Sequence, residues 1–399
     1  MPNFASRLSR IEESATVALS QRAAELKRQG IDVIAFGVGE PDFPTPQSIR
    51  DAATADVAKS SHYTAVRGMP ELRSAICTDS AKRRMAHTFS PEEVVVSVGA
   101  KHSLFNLALS LFEEGDEVII PAPYWVSYPE QVRLVGAEAV IAATTIEDNF
   151  VLSPEALRKA ISKKTKALIL CTPSNPTGAA YSPEQLNAIA EVVRKHDMWV
   201  IVDEIYSQLV YDNFKQQSFI DVAPDLKDRC IIVDGVSKTY AMTGWRIGWI
   251  LAPKEVAKAC DKLQSQSTTN PTAIAQYAAM AALGCDDSIL KDMLATFDKR
   301  RHALVNSINA IEGLSCRLPN GAFYAFVDVT KLIGKKASSG ELNTDLDVSH
   351  FFLNEARCAA VPGSAFGAPG FLRFSYATSI ELIEEGCKRI KEAVATLKS

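Results

Sequence analysis

The 399-residue sequence has no apolar run approaching the roughly 18 residues of a membrane span. Its longest runs, such as ALILC (Ala167–Cys171) and WVIV (Trp199–Val202), have the length of buried strands. It also lacks an excess of either charge: a formal net charge of -4 gives no electrostatic reason to expect nucleic acid or an anionic membrane as partner. The eight cysteines are scattered without a C-x-x-C pair, so they read as reduced core thiols rather than a disulfide framework or zinc site. The six histidines show no metal-ligand spacing, and no internal repeat or low-complexity segment occurs. The N-terminus has neither a continuous apolar core nor a cleavage site, and Glu12 and Glu13 argue against a transit peptide; it reads as mature and cytoplasmic. What remains is a globular composition, 47% hydrophobic and 23% charged, with enough material for a large core, two domains and small-molecule chemistry.

From about residue 94 to 251, short apolar strands alternate with helical segments, the pattern of a sheet covered on both faces. The strand candidates are Val94–Val98, Glu117–Ile120, Lys166–Cys171, Met198–Val202, Cys230–Val233 and Arg246–Leu251. A crossover helix is signalled by Ser182 as N-cap, Pro183 at the first position, Gln185 closing a capping box, and Lys195 with His196 near the C-terminal end. Beyond Ser288, helical stretches (Asp287–Asn309, Ser379–Leu397) mix with strand signals at Phe323–Val327 and Leu372–Ser375, which suggests a second α+β domain.

Loops that follow strands are where an α/β sheet binds its ligand. After Val94–Val98 comes Gly99-Ala100-Lys101 opening a helix, whose free N–H groups suit a phosphate. After Lys166–Cys171 comes TPSNPTG, which holds Asn175 between two prolines. Asp203 and Tyr206 follow the next strand, and the stretch DGVSKTYAMTGWRIGW carries Ser237, Lys238 and Arg246 among small and apolar residues. Burial lowers the pKa of an amine and leaves it a neutral nucleophile, ready to condense with an aldehyde. Singly, each residue also fits a plain role: Asp203 a cap, Asn175 a turn residue, Lys238 a snorkelling lysine, Arg246 half of an ion pair. Together they match a pyridine aldehyde phosphate, which needs an amine, a carboxylate for its ring nitrogen, donors for its phenolate oxygen and a cation with N–H groups for its phosphate.

The segments GVGEPDFPTP, HYTAVRGMPELR, SVGAKHSLFNL, PAPYWVSYP, CTPSNPTG, VDEIY, GVSKTYAMTGWRIGW, LPNGAFYAF and LRFSYATS occur in this order between Phe36 and Ser379. They resemble the class I, fold type I aminotransferases that use pyridoxal 5'-phosphate, and within them the aspartate aminotransferase subgroup common in bacteria. The resemblance implies an α/β fold: a large cofactor-binding domain (46–287) with a mostly parallel sheet between helices, and a smaller α+β domain (1–45 and 288–399). It implies that Lys238 holds the cofactor and moves a proton, that Asp203 keeps the ring nitrogen protonated, and that Tyr206 and Asn175 bond the phenolate oxygen. Trp125 would stack over the ring. Arg246, Ser237 and the Gly99-Ala100-Lys101 turn would grip the phosphate. Arg373 would clamp the substrate α-carboxylate, helped by the backbone at Gly39, and Lys101 would meet a distal carboxylate. Tyr63 would reach the neighbouring subunit's phosphate in a homodimer with shared sites. Glu40 and Glu204 read as local structure.

The reaction implied is amino transfer from L-aspartate to 2-oxoglutarate, forming oxaloacetate and L-glutamate. Some relatives also accept prephenate with the help of a basic residue near the N-terminus. Glu12 stands at that place here, and an acid there predicts poor use of prephenate. Other activities on the same fold, such as a carbon–sulfur lyase or a regulator, remain open at this point, although nothing in the sequence supports fusion to a DNA-binding module.

Overall fold

The computed structural model describes residues 4–13, 15–84, 86–286, 288–338 and 340–398. After a short strand, β1 (Ile34–Ala35), seven strands build the central sheet: β2 (Val94–Ser97), β3 (Glu117–Ala122), β4 (Glu138–Ala143), β5 (Thr165–Cys171), β6 (Trp199–Asp203), β7 (Cys230–Gly235) and β8 (Gly248–Leu251). Their spatial order is β2-β8-β7-β6-β5-β3-β4. Only β8 opposes its neighbours, lying antiparallel between β2 and β7. The remaining pairs are parallel.

The apolar runs are explained by helices on both faces, because successive side chains of a strand point to opposite sides. Val94, Val96, Leu168, Leu170, Val200 and Val202 enter one core with Leu72, Leu186 and Ile189 from helices Pro70–Arg83 and Pro183–Val193. Val95, Ala167, Ile169 and Ile201 enter the other with Leu104, Leu107 and Val256 from helices Ala100–Leu111 and Lys254–Ser265.

Several boundaries differ from the sequence reading. The expected strand Arg246–Leu251 begins only at Gly248, because Arg246 takes a left-handed conformation (φ 57°) after the 3-10 turn Thr243–Trp245. Strand β4 has no sequence counterpart: at the sheet edge its Glu138, Ile141 and Ala143 stay exposed, so EAVIAA lacks the signature of a buried strand. The capping box forms as read, with Ser182 Oγ accepting from the Gln185 N–H (3.3 Å) and Gln185 Oε1 accepting from the Ser182 N–H (2.9 Å). Lys195 and His196, however, lie beyond that helix, which ends at Val193 with Arg194 as its cap. The helix expected over Asp287–Asn309 spans Ser288–Asn309, and Asp287 itself lies outside the described residues. The C-terminal helix is Ile380–Val394, with Ser379 as its N-cap rather than its first residue.

The C-terminal region adds β9 (Ser315–Cys316), β10 (Tyr324–Asp328), the hairpin of β11 (Lys336–Ala337) and β12 (Gly340–Glu341), β13 (Cys358–Ala359), β14 (Val361–Pro362) and β15 (Phe371–Ser375). An antiparallel sheet runs β14-β15-β10-β9, while β13 pairs in parallel with β1. Ser375 N–H donates to Phe36 O at 2.7 Å, so the chain's first and last strand regions close on each other. All eight cysteines are free thiols. Among the described residues no helix is long and apolar enough to cross a membrane. At the surface Asp212, Asp298 and His302 bring ligand atoms within 4.8 Å of one another, a cluster that chain spacing does not show. Arg301 bonds both of its carboxylates and supplies their counter-charge.

Candidate active site

A cavity of about 620 Å³ opens where β5, β6 and β7 end, a size suited to small ligands. It is lined by Gly39, Ala100, Lys101, Trp125, Asn175, Asp203, Tyr206, Ser237, Lys238, Arg246 and Arg373. These are the site residues named from sequence, apart from Gly99 and Tyr63. Gly99 stands at the rim as N-cap of the helix Ala100–Leu111. Tyr63 is elsewhere, 91% exposed.

Lys238 sits three residues past the end of β7, between buried Ser237 and Thr239. Its Nζ donates to Gly39 O at 2.7 Å. Burial lowers its pKa to about 8, with Arg246 and Arg373 pushing the same way against the opposing pull of Glu40 and Asp203. Roughly a tenth of the amine is therefore neutral at pH 7, far more than in an unperturbed lysine, and that fraction can act as nucleophile or base.

Asp203 ends β6 and is 4% exposed. Its Oδ2 accepts from Tyr128 Oη at 2.7 Å and its Oδ1 from the Ile205 N–H at 3.2 Å. Burial raises its pKa to about 6 although the Tyr128 bond favours the charged form. Tyr128 was not among the sequence candidates; the signal for it is the second tyrosine of PAPYWVSYP, one helical turn past Trp125. The two rings meet edge to face at 5.3 Å between centroids.

Arg373, in β15, is 2% exposed and has only neutral partners among the described residues: Nη1 donates to Asn175 Oδ1 (2.8 Å) and Nη2 to Gly37 O (2.8 Å), while Nε finds none among them. The guanidinium lies 4.6 Å from the Tyr324 ring centroid and 5.0 Å from that of Phe366. A buried cation without a carboxylate among the described residues is set to receive an anion. Asn175, whose Oδ1 is taken by Arg373, keeps its amide N–H groups to donate. Tyr206 shares a hydrogen bond with Tyr324, Oη to Oη, at 2.9 Å. Tyr324 is a second residue that the sequence reading missed, although it lies within LPNGAFYAF.

At the other end, a Cβ on Gly99 would come within 2.5 Å of Arg246 Nη2, so only glycine lets the guanidinium approach the start of the helix. Ala100 and Lys101 occupy the first turn, whose N–H groups have no acceptor within the helix. Arg246 Nη1 is anchored on Thr243 O at 2.7 Å. The result is an anion cradle of one guanidinium and one helix N-terminus. Lys101 Nζ lies 4.8 Å from the Trp125 ring centroid, and burial together with Arg246 lowers its pKa.

The two carboxylates read as local structure part company. Glu204 is buried and bonded to Arg84 and Ser218. Glu40 lines the cavity, where its Oε2 accepts from Thr243 Oγ1 at 2.7 Å. Glu12 does not line the cavity; it is exposed, and its N–H donates to Glu130 Oε2 at 2.8 Å.

The family model described as aminotransferase class I and II matches residues 31–390. An aspartate/prephenate aminotransferase of Nitrosomonas europaea is 44% identical over 388 residues, covering 96% of this chain and 98% of that protein. The crystal structure of an aspartate aminotransferase from Rhizobium meliloti superposes with a TM-score of 0.96 at 41% identity, covering 100% of both chains. The aspartate aminotransferase of Thermus thermophilus with maleate superposes with a TM-score of 0.91 at 39% identity, covering 98% of this chain and 100% of that one.

Proposed function

Because the chain belongs to the class I and II aminotransferases, we propose that it uses pyridoxal 5'-phosphate to transfer the amino group of L-aspartate to 2-oxoglutarate, forming oxaloacetate and L-glutamate. The observation that carries the substrate is the placement of two cations in one cavity, buried Arg373 without a carboxylate partner and Lys101 beside Trp125. A dicarboxylate answers both. The Thermus thermophilus relative is described with maleate, itself a dicarboxylate.

The residues present fit the cofactor. Asp203 is a buried carboxylate that faces the cavity with only two neutral donors, so it suits a protonated ring nitrogen. The Gly99–Arg246 cradle suits a phosphate, and Lys238 supplies the amine. When bound, the cofactor offers an aldehyde to amines and a ring that delocalises the electron pair left by a departing α-proton. Lys238 Nζ takes that proton from the substrate α-carbon and returns it on the far side of the reaction, a task suited to an amine with its pKa near 8. Arg373 orients the α-carboxylate, while Asn175 holds Arg373 with its oxygen and keeps its N–H groups for the phenolate position alongside Tyr206. Trp125 and Tyr128 wall the cavity against water on one side.

The reading divides the chain into a cofactor-binding domain at 46–287 and a smaller domain at 1–45 and 288–399, and places the enzyme in the cytoplasm. It includes a homodimer in which Tyr63 serves the neighbouring copy; the tyrosine's 91% exposure in the single chain supports this. A second reading, use of prephenate as amino acceptor, is favoured by the Nitrosomonas europaea relative, which is named an aspartate/prephenate aminotransferase.

The test is an initial-rate panel of amino donors with 2-oxoglutarate, oxaloacetate and prephenate as acceptors. Aspartate with 2-oxoglutarate should give the highest kcat/KM and release oxaloacetate. A neutral donor outrunning aspartate would remove the dicarboxylate assignment.

A further inference from the structure

The segment GEPDFPTP, residues 39–46, gives the cavity Gly39 and Glu40, while its far end, Pro44-Thr45-Pro46, lies outside the lining. A residue before proline is held to extended backbone, and a β-branched side chain has few rotamers, so Thr45 presents its hydroxyl from a stiff mount. Thr45 is 9% exposed, and its hydroxyl works in both directions. Oγ1 donates to Ala241 O at 2.7 Å and accepts from Trp245 Nε1 at 3.0 Å.

Those two partners bracket the turn that leads into Arg246. Ala241 (φ 51°) and Arg246 (φ 57°) both take left-handed backbone, with the 3-10 turn Thr243–Trp245 between them. Left-handed backbone strains a residue that carries a Cβ, and such strain persists only where the surroundings fix it. Here one oxygen of Thr45 ties both ends of the turn. Glu40, from the same segment, accepts from Thr243 Oγ1 at 2.7 Å, and Thr243 O in turn receives Arg246 Nη1. The segment is itself pinned, because Arg300 in the helix Ser288–Asn309 grips Asp42 with both Nη atoms (2.7 and 2.9 Å).

We propose that Thr45 is a positioning residue for the phosphate cradle. By holding Ala241 and Trp245 it fixes the turn that delivers the Arg246 guanidinium to Gly99, without lining the cavity itself. The inference rests on the reading of Gly99 and Arg246 as the phosphate site.

The test is titration of cofactor-free protein, prepared from the holoenzyme, with pyridoxal 5'-phosphate and with pyridoxal, which lacks the phosphate. Binding is followed by the ligand's absorbance. Wild type should bind the phosphate ester at least about tenfold more tightly than pyridoxal. Equal affinities would overturn the cradle itself. Thr45→Val keeps the shape and removes the hydroxyl; it should weaken the ester about tenfold or more and pyridoxal less than about twofold. Thr45→Ser should restore wild-type affinity, and in an Arg246→Ala background Thr45→Val should add no further loss. Equal weakening of both ligands would show a general structural role and overturn the proposal, as would unchanged affinity for the ester. If Thr45→Val fails to fold, Trp245→Phe, which removes the indole N–H, carries the same comparison, with a loss of about threefold or more expected for the ester alone.

Discussion

Asp203 and Glu204 are neighbours in the chain, both buried carboxylates, at 4% and 2% exposure. Glu204 turns to Arg84 and Ser218, in a network where Arg84 and Arg83 also hold Asp234. Asp203 turns to the cavity and finds a tyrosine hydroxyl and one backbone N–H. Burial is equal, so burial does not separate a structural charge from a functional one. Compensation within the chain does. Arg373 belongs with Asp203, being buried and met only by neutral oxygens among the described residues, and burial lowers the Lys238 pKa to about 8 against the pull of Glu40 and Asp203.

The contrast can be broken by substitution. The largest effect is expected for Lys238→Ala, which should reduce turnover by roughly 10⁴-fold or more while cofactor binding through Arg246 and Asp203 persists. Residual transamination above a trace, measured on cofactor-loaded protein, would refute the role. Next comes the adjacent pair. Asp203→Ala should lower kcat by roughly 10²–10⁴-fold, whereas Glu204→Ala should cost about 3–5 kcal/mol of stability, because it strips the buried Arg84 of a partner, with little change in turnover per folded molecule. Urea unfolding and steady-state rates on both variants decide, and a reversed pattern would dissolve the distinction.

A smaller effect concerns the cavity's exposed cation. Lys101→Ala should raise the KM for aspartate roughly 10–100-fold and leave alanine or phenylalanine nearly unaffected, as expected for one lost charge-assisted contact. Equal losses for charged and uncharged donors would assign Lys101 elsewhere.

The smallest effect sharpens the comparison through pH. In cofactor-free protein the Asp203 carboxyl sits at about 6 rather than 3.8 because burial disfavours its charge. A raised folded pKa stabilises the protonated native state. That contribution is complete below about pH 4 and disappears as pH rises through about 6, on the order of 1–3 kcal/mol. Asp203→Asn cannot titrate, so wild type should lose stability relative to the variant between pH 4 and 7. Parallel unfolding curves across that range would show that Asp203 is compensated after all.

Most of the sheet was legible because parallel strands buried on two faces carry unbroken apolar runs, as in ALILC and WVIV. Strand β4 was not, because an edge strand exposing Glu138 and Ile141 needs no such run. Arg246 was legible as a cation near the phosphate turn but not as a left-handed residue, since its conformation follows from the preceding turn and its anchor on Thr243 O. In the site, polar residues in strand-to-loop segments could be read singly. Tyr128 and Tyr324 could not, because each acts through a partner 75 or 118 positions away, Asp203 and Tyr206. Glu40, read as local structure, faces the cavity through a fold-back of the N-terminal segment that no local pattern announces.

That fold-back sets a schedule. Gly37 O receives the Arg373 guanidinium across 336 positions of chain, and Gly39 O receives Lys238 across 199. At a ribosomal pace of about 5–20 residues per second, the segment carrying Gly37 waits on the order of tens of seconds for the strand that completes its end of the cavity. Until then the nascent chain has Lys238 and Gly39 but lacks the carboxylate clamp. The cavity is therefore completed only once the strand carrying Arg373 has been made, and cofactor capture by a finished site waits for that strand.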